Sequence, residues 1–242
     1  MFEAAGLVLT LALAPLPPLV GLVGGQDPGT TVTAGCGDVA FETRYAEARR
    51  WCTAAAAGDA DAQSWLGMMY LSGQGLPQDD FEALRWFRLA AAQGDLDGIV
   101  GIADLHRRGQ SVERDEAEAD RLYRLAAEQG HAGSQAIVGG KYEMGFGVPQ
   151  DYVEAARWYR LAAEQGHIGA QAGLAIFYEN GTGVERDEVE AYKWFLIAAS
   201  IGGYMLAGLP DEIAAKLTPE QLAEGRRRAA AWQRSPRMPV NQ

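Results

Sequence analysis

Apolar residues return along this chain in two alternating patterns. Ala62, Leu66 and Tyr70 stand four apart. A polar, glycine-rich stretch follows, and then a second apolar run of Ala83, Trp86, Phe87, Ala90 and Ala91. Both spacings gather the apolar side chains on one face of a helix. The pair of runs then recurs. The first is refilled by Gly98, Ile102 and His106, by Ser134, Val138 and Tyr142, and by Ala170, Leu174 and Tyr178. The second is refilled by Ala119, Leu122 and Tyr123, by Ala155, Trp158 and Tyr159, and by Ala191, Trp194 and Phe195. Gly58, Gly94, Gly130, Gly166 and Gly202 mark the 36-residue period. The copies therefore run 58–93, 94–129, 130–165 and 166–201. A helix pair copied at fixed period cannot bury its own apolar face and does so by stacking. The pattern predicts an all-α fold, a right-handed α-solenoid of stacked helix-turn-helix repeats.

The polar positions supply the punctuation. Gly73, Gly109, Gly145 and Gly181 follow the first helix, where a left-handed residue closes the last turn. Asp79, Asp115, Asp151 and Asp187 precede the second, each with a glutamate three residues on: Glu82, Glu118, Glu154 and Glu190. That is the arrangement of a capping box, in which the glutamate reaches back to the cap. Recurrence at one offset makes these eight acids caps rather than paired catalytic carboxylates. Residues 41–57 predict an N-terminal capping helix, and 202–234 predict capping helices at the other end. There, Thr218, Pro219 and Gln221 give a helix start running to about Trp232. Residues 235–242 form a tail.

The residues Ala62, Leu66, Gly67, Tyr70, Gly73, Gly75, Leu76 and Asp79, then Ala83, Trp86, Phe87, Ala90, Ala91 and Gly94, resemble the SEL-one-like repeat, a relative of the tetratricopeptide repeat. The resemblance covers 58–201. Copy two departs from it: His106 stands for tyrosine, Leu122 for tryptophan and Ser111 for a loop glycine, so looser stacking is expected there. The resemblance implies a scaffold or adaptor that binds proteins, with family roles in assembling or regulating bacterial envelope complexes. Some cysteine-rich relatives are described as penicillin-binding or β-lactamase-like. Their repeated cysteine pairs are missing here, and that activity is not carried over.

Composition narrows the partners. The 242 residues carry a formal net charge of −11, which argues against nucleic acid, whose phosphates call for a basic surface. Ala4 to Ala14 is an uncharged apolar run of export-signal length, so residues 1–25 are expected to be a signal peptide, with an uncleaved membrane anchor or a tail as alternatives. Residues 26–40 form a linker. The expected address is periplasmic or secreted, with membrane-anchored or cytoplasmic as alternatives. The two cysteines, Cys36 and Cys52, are a candidate disulfide in an oxidising compartment. A lipoprotein-like site at Cys36 and two free thiols are the competing readings.

No catalytic constellation is found, and no cofactor or metal site is expected. His131 and His167 share one repeat slot, which makes them structural; no P-loop, G-x-S-x-G or H-E-x-x-H is present. What remains is binding of a protein partner. Residues that repeat build the fold, so specificity is sought where the first helices differ. Two columns do so: Met68, Asp104, Gly140 and Ile176, and Met69, Leu105, Lys141 and Phe177. Trp65 and Ile137 share a third with Gly101 and Gly173. The candidate groove residues are therefore Trp65, Met68, Met69, Asp104, Lys141, Ile176 and Phe177. The alternatives are a cell-wall hydrolase or penicillin-binding-like enzyme, and a structural self-associating solenoid.

Overall fold

The computed structural model describes residues 46–202 and 208–234. Among the described residues it holds eleven helices and no strand. Helix α1 (Ala46–Ala56) precedes four hairpins: α2 (Ala60–Ser72) with α3 (Asp80–Ala91), α4 (Leu96–Arg108) with α5 (Glu116–Glu128), α6 (Ala132–Met144) with α7 (Tyr152–Glu164), and α8 (Ile168–Asn180) with α9 (Glu188–Gly202). Two further helices, α10 (Leu209–Ala214) and α11 (Pro219–Arg234), close the end against α9. From α1 to α10 each helix packs on the next, and α11 packs back on α9.

The punctuation behaves largely as read. Gly73, Gly109, Gly145 and Gly181 adopt left-handed φ of 67–71°. Each loop is then tied back to its helix: the N–H groups of Asp79, Asp115, Asp151 and Asp187 donate to the carbonyls of Tyr70, His106, Tyr142 and Tyr178 at 2.9–3.1 Å. Those four aspartates cap the second helices, as Asp79 does by accepting from Phe81 and Glu82 N–H. The glutamates do not complete a capping box. Glu82, Glu118 and Glu154 pair one turn forward with Arg85, Arg121 and Arg157, and Glu190 with Lys193, at 2.7–3.0 Å. A cation three residues on competes for the carboxylate and keeps it on the helix surface. Thr218 and Gln221 do form a reciprocal box at the start of α11.

The fifth periodic glycine departs from the other four. Gly58, Gly94, Gly130 and Gly166 have φ between 86° and 102° and break the chain between copies, whereas Gly202 lies within α9, which runs on past the point where its counterparts stop.

The core is not uniform along the stack. One continuous apolar cluster runs from Cys52 through Ala126, and another from Ala162 through Ala229. Between them lie two small clusters built on Val138 and Trp158 and on Ala156 and Phe177. The thin stretch is therefore copy three, not copy two as expected. Copy two makes good its substitutions with Ile99, Ile102, Leu105 and Leu122, all fully buried. In α6 the same face offers Val138 among Gln135, Gly139 and Lys141. Polar bonds take over there: Lys141 Nζ meets Asp120 at 2.6 Å, and His131 Nε2 meets Asp97 at 3.1 Å.

A buried glutamine ladder stitches the copies together. Gln63, Gln135 and Gln171 each donate Nε2 to a carbonyl of the preceding helix, those of Ala55 on α1, Ala127 and Ala163, at 3.1 Å. Gln93 and Gln165 donate in turn to Gln63 and Gln135 at 2.8 Å. The rung is missing at Ile99. Residues 1–45, with the signal, linker and Cys36 assignments, lie outside the described residues, as do 203–207 and 235–242.

Candidate functional site

The first helices α2, α4, α6 and α8 turn one face into the stack and one outward. Ala62, Leu66 and Tyr70 define the inward face of α2. Positions 65 and 68 fall on the opposite side of a 3.6-residue turn, while position 69, three after Leu66, rejoins the inward stripe. The structure divides the candidate groove residues along this line.

Trp65, Met68 and Ile176 are outward, 44%, 51% and 45% exposed. Ile137 and Met144 join them on α6. Trp65 stacks on Trp51 of α1 with centroids 5.8 Å apart, so the apolar strip begins on the capping helix.

The inward column is a correction. Phe177 is 2% exposed and lies edge-on between Tyr152 and Tyr159, at 6.2 and 5.6 Å. Leu105 is fully buried in the same column, and Met69 packs against the core. Lys141 is held by Asp120 of the preceding copy. Asp104 faces outward but is committed: it accepts from Tyr123 Oη at 2.5 Å and Arg107 Nη2 at 2.9 Å. That hydrogen bond and burial push the Tyr123 hydroxyl up to about 12, burial contributing most.

The histidines lie at helix starts. Asp59 and Asp95 cap α2 and α4; His131 and His167 take the same place for α6 and α8, their Nδ1 accepting from Ser134 and Ala170 N–H at 3.0 and 3.1 Å. Burial, and then His131 beside it, hold the His167 imidazole below its ordinary value. Among the described residues no group of three or more His, Cys, Asp or Glu side chains converges as a metal would require. Cys52, on α1, is buried and is not a free thiol.

A cleft of about 710 Å³ opens between copies three and four, lined by Val153, Arg157, Arg160, Tyr178, Gly183 and Arg186 among others. Its cations are already engaged: Arg157 with Glu154, Arg160 with the Tyr178 hydroxyl at 2.8 Å, Arg186 with Glu188.

The Sel1 repeat model matches residues 60–95, 98–131, 132–167 and 168–203, more than half of the chain. The chain belongs to the Sel1 repeat family. Sel1 repeat proteins are generally protein-interaction scaffolds and typically non-catalytic. The crystal structure of a Sel1 repeat protein from Oxalobacter formigenes is similar over 67% of this chain and 47% of that one, with 34% identity and a TM-score of 0.62. That of c5321, a protective antigen present in uropathogenic Escherichia coli strains and displaying an SLR fold, is 26% identical over 79% of this chain and 52% of its own, with a TM-score of 0.48. This Sel1 chain thus spans about half the length of each. Comparison with curated proteins gives no significant match.

Met144, and the continuity of Trp65 with Trp51, were not part of the groove read from sequence. Met144 stands one turn beyond Gly140 on the outward face, and helical spacing alone would have found it. The Trp51 contact links α1 to α2 and has no sequence signal.

Proposed function

We propose that this Sel1 repeat chain is a non-catalytic scaffold of the bacterial cell envelope, which binds a segment of a partner protein along the outward face of its first helices. One observation carries the reading: in the two mid-helix columns of Trp65 and Met68, which differ between copies, the residues that remain exposed, Trp65, Met68, Ile137 and Ile176, are large and apolar, while the recurring residues are consumed by the stack. Stacked helix pairs present extended surfaces of this kind, and Met and aromatic side chains suit adaptable protein contacts. The envelope address rests on the apolar run Ala4–Ala14 and on a Cys36–Cys52 disulfide, which would tie the N-terminal linker to α1.

The test is site-specific photocrosslinking in the native host. A photoreactive side chain at position 68, 137 or 176 should capture one common protein. The same group at Arg121, exposed on a second helix, should not. Equal capture from all four positions, or from Arg121 alone, would reject the outward face as the binding surface.

A further inference from the structure

Copies two and three carry related polar groups on the outward face, and copy three lacks one member of the set. In copy two, Tyr123 of α5 donates its hydroxyl to Asp104 at 2.5 Å. Arg107 donates to both, to Asp104 at 2.9 Å and to Tyr123 Oη at 3.2 Å. A tyrosine, a carboxylate and a cation thus close a triad within one copy. The residues 36 positions on are Tyr159, Gly140 and Glu143. Tyr159 again donates its hydroxyl to a carboxylate, that of Glu143, at 2.5 Å. This carboxylate stands at the place of Arg107, and glycine stands where its charged partner would be. Among the described residues no cation pairs with Glu143. Its counterpart in copy four, Glu179, is met by Lys216 Nζ at 2.6 Å.

Gly140 leaves room at that place. A Cβ there would meet two atoms within 4 Å, Tyr159 Oη at 3.4 Å and Met144 Cε at 3.7 Å, both at ordinary contact. Ile137 and Met144, both exposed, stand one turn to either side. Apolar flanks beside a carboxylate suit a long basic side chain, whose methylene stem covers apolar surface while its head stays charged. The net charge of −11 favours the approach of such a group. We infer that Gly140 and Glu143 form a docking point for a lysine or arginine side chain of the partner segment, which completes from outside the triad that Arg107 completes from within. This rests on the scaffold reading, because it sets that basic residue against copy three of the outward face.

The experiment follows the methionine methyl resonances of the full chain by NMR at constant pH and ionic strength. The probes are the peptide acetyl-Leu-Ala-Arg-Ala-Leu-amide and the same peptide with citrulline, a neutral isostere, for arginine. The arginine peptide should shift Met144 saturably and bind about three- to fivefold more tightly than the citrulline peptide, as expected of a part-exposed ion pair. Glu143→Gln should remove that difference. Gly140→Lys, which supplies the cation from α6 itself, should remove it too. Equal affinities of the two peptides for the parent protein would overturn the docking point while leaving the outward face a binding surface. No saturable Met144 shift with the arginine peptide, or a difference that survives Glu143→Gln, would also overturn it. The scaffold reading is judged apart from this, by crosslinking at positions 68 and 176.

Discussion

The ring of Phe87 presses against Gly101 of the following copy so closely that a Cβ there would stand 2.5 Å from it. Gly67 in its own copy leaves little more room, at 2.7 Å. The aromatic of the second helix is thus clamped between two glycine-bearing first helices. Gly101→Ala should cost about 1–3 kcal/mol by overpacking. Gly173 is the counterpart two copies on, and a Cβ there meets Tyr159 at an ordinary 3.5 Å. Gly173→Ala should therefore be neutral or stabilise by up to about 1 kcal/mol through helix propensity. Urea unfolding of both variants checks the contrast; equal effects would refute it.

Ser111 has φ of 56°, where Gly75, Gly147 and Gly183 hold the same place in the other copies at 67–77°. A side chain in that region is strained by about 1 kcal/mol or more. Ser111→Gly should raise the unfolding free energy by about 0.5–1 kcal/mol after the entropy cost of glycine. Thermal or urea unfolding of the variant measures it.

His167 caps α8 as a neutral ring, and its folded value lies below the ordinary 6.5. The unfolded chain therefore takes up the proton first. The cap's contribution is complete above about pH 6.5 and is lost as pH falls through the lower folded value. His167→Asp installs the residue that caps α2 and α4 and titrates near 3.9. Between pH 7 and pH 5 the variant should gain about 0.5–2 kcal/mol relative to the parent, the usual worth of a cap. Unfolding midpoints of the two proteins at both pH values give the answer, and parallel profiles would exclude the cap as the source.

Phe177 and Ile176 are adjacent in sequence and should behave as opposites. Phe177→Ala opens a hole beside Tyr152 and Tyr159 and should cost about 3–5 kcal/mol. Ile176→Ser sits on the outward face and should change stability by no more than about 0.5 kcal/mol, while reducing capture of the partner. Loss of partner from Phe177→Ala would thus report a damaged fold, and loss from Ile176→Ser a damaged surface.

The left-handed glycines and the aspartate caps were legible because each is set by local backbone needs and recurs four times. The outward and inward columns were legible in principle. Position 69 lies three residues after Leu66, and the same arithmetic that buried Leu66 places Phe177 inside. The forward pairing of Glu82, Glu118 and Glu154 with arginine was not read because two local uses of one carboxylate compete, and a basic residue at the third place decides between them. Copy three's thin core escaped because consensus residues such as Tyr142, Gly145 and Trp158 are all present. The deficit lies in Gln135, Gly139 and Lys141, where the motif permits variety but the stack requires volume.

The thin stretch at α6 changes how the array behaves as an elastic body. Two stiff apolar blocks, one through copies one and two and one through copy four and its caps, are joined by a segment held by hydrogen bonds and ion pairs. Bending such an array would cost least where its apolar packing is thinnest, which makes copy three the place where its curvature would change first. Trp65 and Met68 ride on one block and Ile176 on the other, and the distance between these anchors is set by that joint.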